Sequence, residues 1–207
     1  MLISFVNTSG IRYTYQGNVC QEAIMSKSLN PSAIRSREMI IQALLLLMES
    51  KRYESITISE IAYEAQLVRK TFYRHFVNKD AVLNEYVNLL FSQYISLLKS
   101  SNCHSVYQSA VVYFEFWSNN IAFLKVLQKN DLLHFILNKY DELLPLINKI
   151  FPCKKTANSI EQEYSISYST GGYWNILCKW IDRDFIESPT EMARIYESIV
   201  LHSIIYE

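Results

Sequence analysis

Residues 68–76 read VRKTFYRHF. Arg69, Lys70, Arg74 and His75 supply cations or donors, and Phe72, Tyr73 and Phe76 supply rings, within the same nine positions. A buried segment does not tolerate that much charge, and a merely solvated face has no use for that many rings. On a helical wheel Phe72 and Phe76 fall about 40° apart. Lys70, Thr71 and Arg74 lie opposite them, with Arg69 and Tyr73 flanking one side and His75 the other. One face is apolar; the other is cationic and hydroxylated. The major groove of duplex DNA admits a helix, offers acceptors to Arg and Lys, and presents the thymine methyl to apolar atoms. Flanking Tyr, Thr and His groups can bond phosphate oxygens and fix the register. Lys79 adds charge nearby, at a helix start whose backbone N–H groups favour a phosphate.

A short helix must precede such a helix to make a helix-turn-helix. Thr57 is followed three residues later by Glu60, a capping-box pattern ahead of Ile61, Ala62 and Ala65. The spacing predicts a short helix over 58–65, a turn over 66–68 and a second helix over 69–75. Upstream, Ile40, Ala43, Leu44 and Leu47 recur at helical spacing and predict a helix over 32–50. Asn78 caps a fourth, expected over 79–99. The remainder reads as further helices near 105–118, 120–129, 131–150, 158–182 and 189–206, the last capped by Ser188 with Pro189 at its first position. The fold class is therefore all-α: an N-terminal three-helix module joined without a flexible linker, through helix 4, to a larger helical bundle. No strand pattern competes. Residues 1–24 show no periodicity, and MSKSLNPSAIRSREMI from Met25 reads as a natural beginning. The expected organisation is a disordered or non-native extension over 1–24, the DNA-binding module over 25–80 and the bundle over 81–207.

Bulk properties agree. The chain has 207 residues, half of them apolar, with only four glycines and four prolines, which favours long helices over a turn-rich β fold. Its net charge is zero, yet residues 25–80 hold nine Lys or Arg against six Asp or Glu, while 81–207 hold ten against thirteen. The local excess of +3 sits around the opening stretch and favours a polyanion partner for that part alone. Cys20, Cys103, Cys153 and Cys178 are widely spaced and read as free thiols. No metal-ligand spacing appears, and no cofactor is expected. The longest apolar run, Ala43–Met48, is far too short to span a membrane. A cytoplasmic protein with no membrane partner is expected.

The stretch TISEIAYEAQLVRKTFYRHFVNKDAVL, residues 57–83, resembles the DNA-binding module of TetR-family transcriptional regulators of the TetR/AcrR type. Thr57, Ile61-Ala62, Ala65, Thr71-Phe72-Tyr73, His75-Phe76 and Lys79 carry the resemblance; Arg37, Ile40, Ala43 and Tyr53 upstream fit as well. It implies base contacts from Arg69, Lys70 and Arg74, and phosphate contacts from Thr71, Tyr73, His75 and Lys79. Thr57 and Ser59 are implied as further backbone contacts. Two departures stand out. Gln66 occupies the turn position where the family usually has Gly, and Val68 occupies that of a small polar cap. Gln66 is expected to adopt a left-handed conformation at a cost of about 1 kcal/mol, and the missing cap costs a similar amount.

The resemblance further implies a homodimer on a palindromic operator and a C-terminal domain that binds an effector. The last two long helices would pair with a second subunit through Trp174, Leu177, Ile181, Ile195 and Ile199. Between residues 105 and 182 the chain is crowded with rings. Packed core is one reading of them; the other is an apolar pocket lined by Tyr113, Trp117, Tyr168 and Trp174, suited to a small apolar or aromatic ligand. Repression released by that ligand is the commoner mode in the family and the expected one, with a protein effector as the alternative. Gly171-Gly172 interrupts a helical pattern and predicts a close helix approach or a bend. An enzyme is not expected. The carboxylate pairs Asp141-Glu142, Glu161/Glu163 and Asp182/Asp184 do not share helix faces, and no nucleophile–base spacing appears.

Overall fold

The computed structural model describes residues 2–6, 12–16, 31–150 and 159–202. Nine α-helices among the described residues carry the fold: α1 (Pro31–Ser50), α2 (Ile58–Glu64), α3 (Arg69–His75), α4 (Lys79–Ser100), α5 (Val106–Ser118), α6 (Ile121–Lys129), α7 (His134–Ile150), α8 (Ser159–Asp182) and α9 (Pro189–His202). A short 3-10 turn, Tyr53–Ser55, precedes α2. The all-α reading holds, and the expected helix bounds fall within three residues of those observed wherever both ends are described.

The N-terminal reading is corrected. Leu2–Val6 (β1) pairs antiparallel with Arg12–Gln16 (β2), Leu2 opposite Gln16 and Val6 opposite Arg12. The signal lay in residue types rather than in periodicity. LISFV and RYTYQ are rich in β-branched and aromatic residues, and Asn7-Thr8-Ser9-Gly10 between them is a run of turn formers. The rest of the expected extension, and Met25, lie outside the described residues.

The chain divides into two units. The first comprises residues 1–93 and 126–135, and so extends past the expected boundary through the first part of α4. Its core is built from Ile40, Leu44 and Met48 of α1, Ile61 and Ala62 of α2, Phe72 of α3, Phe76, and Val82 and Leu83 of α4, all buried. α2 starts on the expected capping box: the Thr57 hydroxyl accepts from Glu60 N–H while the Glu60 carboxylate accepts from Thr57 N–H. It ends at Gln66, whose φ of 54° is left-handed. There Leu67 N–H donates to Ala62 O at 2.8 Å and Gln66 N–H to Tyr63 O at 2.9 Å, the paired bonds that close a helix end. α4 starts with Asn78 Oδ1 accepting from Ala81 N–H at 2.8 Å.

The segment 126–135 is tied into this first unit by polar contacts. Asn130, buried, accepts from Tyr53 N–H at 2.7 Å and donates to Val126 O at 2.8 Å. Arg52 donates to Lys129 O at 3.0 Å, and Lys129 Nζ to Glu49 O at 3.1 Å.

The second unit comprises residues 94–125 and 136–207. α9 packs against α5, and Ser188 caps α9 in a reciprocal pair with Glu191. Asp184 and Phe185, both left-handed at φ 57° and 58°, turn the chain between α8 and α9. The ring of Trp180 holds Phe185 edge-on at 5.0 Å, and Lys125 pairs with Asp184 at 2.5 Å. Of the two readings of Gly171-Gly172, a close approach or a bend, the first is not seen among the described residues. A Cβ on Gly172 would meet Tyr196 at an ordinary 3.8 Å, and one on Gly171 would meet nothing within 4 Å. Among the described residues, no close approach demands either glycine.

Candidate nucleic-acid interface

α3 is fixed from behind. Phe72 and Phe76 are buried, with their ring centroids 6.1 Å apart. Arg37 of α1 lays its guanidinium 4.6 Å from the Phe76 ring centroid, donates to His75 O at 3.3 Å, and pairs with Glu85 of α4 at 2.8 Å. One side chain thus ties the C-terminal end of α3 to two neighbouring helices. The sequence carried no sign of this role beyond Arg37 standing in helix 1.

The outward face holds the expected cations in two different states. Lys70 and Arg74 are exposed, and neither has a hydrogen bond or ion pair among the described residues. Arg69 is folded onto Tyr73, donating to its hydroxyl at 3.1 Å with the guanidinium 5.5 Å from the ring. Thr71 is half-buried on the same helix, and Thr57 and Ser59 stand exposed at the start of α2. The Thr57 hydroxyl, however, is occupied with Glu60, donating to its carboxylate at 2.8 Å. Lys51 binds the same carboxylate at 2.5 Å, and that bond, with those from Thr57, holds the Glu60 pKa down at about 2.

Two expected phosphate contacts are corrected. Lys79 turns its ammonium inward. Nζ donates to Tyr53 O at 2.6 Å, Glu54 O at 3.0 Å and Ile56 O at 3.0 Å, and sits 4.5 Å from the Tyr53 ring centroid. All three ammonium protons are used. The cause is the 3-10 turn and the residue that ends it, Ile56, whose carbonyls converge on one spot beside a ring face. The Tyr53 hydroxyl closes the arrangement by donating to Asp80 at 2.5 Å. His75 buries Nε2 without a hydrogen-bond partner. Burial, then the neighbouring Arg74 and Arg37, push its pKa below the ordinary histidine value. That nitrogen is closed to a phosphate in this conformation.

In the second unit the aromatic set splits. Tyr113 and Trp117 are wholly buried. The Tyr113 and Tyr140 hydroxyls bond to each other at 2.5 Å, Trp117 Nε1 donates to Tyr140 at 3.2 Å, and Tyr113 donates to Tyr173 O at 3.3 Å. Burial raises the pKa of both tyrosines, so both stay protonated. Trp174 is half-buried, 5.9 Å from the Tyr140 ring. Tyr168 is 78% exposed and lines no interior pocket, which corrects its expected role: it stands one turn beyond Tyr164 on the outer side of α8. Leu177 is 0% and Ile181 3% exposed, so both belong to the core of their own unit and are withdrawn as dimer contacts. Ile195 and Ile199, at 44% and 39%, do present apolar surface.

Two family models match. The one described as bacterial regulatory proteins of the tetR family matches residues 40–86, and a transcriptional regulator C-terminal region matches 104–202. The chain belongs to the TetR family. These are DNA-binding transcriptional regulators, not enzymes. The first match contains α2, α3 and the start of α4, the elements that hold Lys70 and Arg74 outward. Among relatives, the chain is 25% identical to the transcriptional activator DhaS of the dhaKLM operon of Lactococcus lactis over 81% of this chain and 88% of that one. Its fold resembles FadR, a fatty acid degradation regulator from Bacillus halodurans, with a TM-score of 0.63 at 15% identity over 87% of this chain and 100% of that one. It also resembles FadR from Bacillus subtilis, solved with stearoyl-CoA, with a TM-score of 0.51 at 15% identity over 81% and 98% of the two chains. Among the described residues, no helix is long and apolar enough to cross a membrane, and no group of side chains is arranged to hold a metal ion.

Proposed function

We propose that this TetR-family regulator acts as a cytoplasmic homodimer on a palindromic operator, reading bases with Lys70 and Arg74 and phosphates with Tyr73, Thr71 and Ser59. The observation that carries the reading is the state of α3: a buried aromatic anchor behind, and two cations in front with no partner among the described residues. Arg69, folded on Tyr73, is positioned for a phosphate or a neighbouring guanine. The dimer surface is α9 through Ile195 and Ile199, joined by the outward row Ile160, Tyr164 and Tyr168 of α8. Gly171 and Asn175 fall on the same side of α8 as that row at 100° per residue, so a partner there explains a glycine with nothing near it.

The effector proposed is a small, largely apolar molecule bound in the second unit. A ligand that favours a state with the two α3 copies wrongly spaced releases the operator by its affinity difference alone. Repression is the proposed sign, although the Lactococcus relative is named an activator. Selection of bound fragments from random duplex DNA tests the core of this reading. Expected is a palindrome whose half-sites lie about one helical turn apart. Arg74→Ala should weaken it by about 1–3 kcal/mol, and recovery of no preferred sequence refutes the assignment. A protein effector is the second reading. It is favoured by Tyr113 and Trp117 both being bonded to Tyr140 in the core while Tyr164 and Tyr168 lie exposed. Screening apolar aromatics and, given the ligand of the B. subtilis FadR structure, long-chain acyl-CoA for stabilisation together with operator release separates the two. No compound doing both favours the protein.

A further inference from the structure

Val68 stands immediately before α3, at its N-cap, with φ −78° and ψ 147° and no side-chain cap bond. A serine or aspartate at an N-cap stabilises a helix through a bond to one of its first N–H groups. This chain forgoes that and leaves a β-branched apolar side chain 68% exposed. The first unit has no use for it: the anchoring of α3 is done by Phe72 and Phe76. Its neighbours are Arg69 and Lys70, and the helix it opens presents Lys70 and Arg74 without partners among the described residues. A recognition helix contacts base edges chiefly with its N-terminal residues. In the major groove one base edge alone is apolar, the 5-methyl of thymine.

We propose that Val68 is a specificity-determining residue that packs on a thymine methyl in each operator half-site, next to the bases read by Lys70 and Arg74. The inference rests on the DNA-binding reading above and adds a base identity to it. It also explains the missing cap, since a polar side chain at 68 would strengthen α3 and forfeit the methyl contact.

The test uses the full chain and its own selected duplex, with deoxyuridine placed at each thymine in turn, a change that removes the methyl alone. With the parent, one thymine per half-site should be sensitive, losing affinity about fourfold, the value of one buried methyl-sized group. Val68→Ser should melt higher than the parent and bind the thymine and uracil duplexes equally. Val68→Ala, which adds no cap, should show the same indifference. If no thymine is sensitive with the parent, or the sensitive thymine stays so in both variants, Val68 does not read it and the proposal fails. If the parent enriches no duplex at all, the DNA-binding reading itself falls, and the inference with it.

Discussion

Lys79 offers the sharpest test of the geometry, because family resemblance and structure assign it opposite duties. Resemblance makes it a phosphate contact; the structure commits its ammonium to three carbonyls and a ring face. Lys79→Met keeps the aliphatic stem and removes the donors. Hydrogen bonds from a charged donor contribute roughly 1.5–3 kcal/mol net each. Water can reach part of this edge and replace some of them, so we expect a loss of about 2–3 kcal/mol for the set. For a chain of this size that is a fall in Tm of about 5–10 °C. A phosphate contact would show elsewhere, in the salt dependence of operator binding. Each lost contact lowers the slope of log K against log salt by about 0.9, or about 1.8 for two half-sites. The assay is thermal unfolding by circular dichroism together with operator binding across a salt series. Expected are a lower Tm and a parental slope. An unchanged Tm with a slope reduced by nearly two would refute the inward assignment and restore Lys79 to the DNA.

Gln66→Gly should stabilise the first unit by about 1 kcal/mol, because a left-handed φ of 54° costs a side chain and not a glycine; a lower Tm would mean the Gln66 side chain makes a contact that matters more. Ile199→Arg should give a folded monomer by sedimentation, whereas Leu177→Arg, on a fully buried residue, should lower the Tm sharply before any question of assembly arises; monomeric parent protein refutes the interface. The folded pKa of His75 is depressed, so its contribution to stability is present above the unfolded value near 6.5 and is lost as pH falls from there through the lower folded value. Unfolding followed from pH 7.5 to 5.5 should therefore show a smaller drop for His75→Gln than for the parent, and equal drops would exclude the residue. Asn130→Leu removes the acceptor from Tyr53 N–H and should cost about 1–3 kcal/mol, with operator affinity reduced; parental affinity would show that the contact does not position the module.

What was legible in the sequence was what depends on neighbours in the chain. Thr57 and Glu60 bond each other across three residues, so the capping box could be read, and its geometry is as expected. Gln66 and Val68 were recognisable because a turn and a cap each require particular residue types at one position. What depends on distant partners was not legible. Lys79 is 26 residues from Tyr53, and nothing local says that three carbonyls converge where its side chain ends. Arg37 and Glu85, 48 positions apart, are likewise invisible as a pair. Leu177 and Ile195 look alike in sequence, as apolar residues on amphipathic helices. Only packing decides that one is inside and the other is not.

The same contacts say where an effector signal would enter the DNA-binding module, on the reading proposed above. α6 crosses from the second unit into the first at Val126, and Asn130 just beyond its end holds Tyr53 N–H. A hundredfold effect on operator affinity needs about 2.7 kcal/mol of coupling. The exposed Arg52 and Lys129 bonds supply little of that, because solvent competes for them. The buried Asn130 bond is different: breaking it strands an N–H, at about 1–3 kcal/mol, which is the required size. Tyr53 is also where Lys79 finds one of its carbonyls and whose hydroxyl donates a hydrogen bond to Asp80. A displacement at Asn130 therefore loosens the turn that sets the start of α2 and the start of α4 together. It leaves untouched the Phe72 and Phe76 anchor, which holds α3 to its neighbours. The module can then change the placement of an intact α3 without unfolding it, which is what release from a palindrome requires.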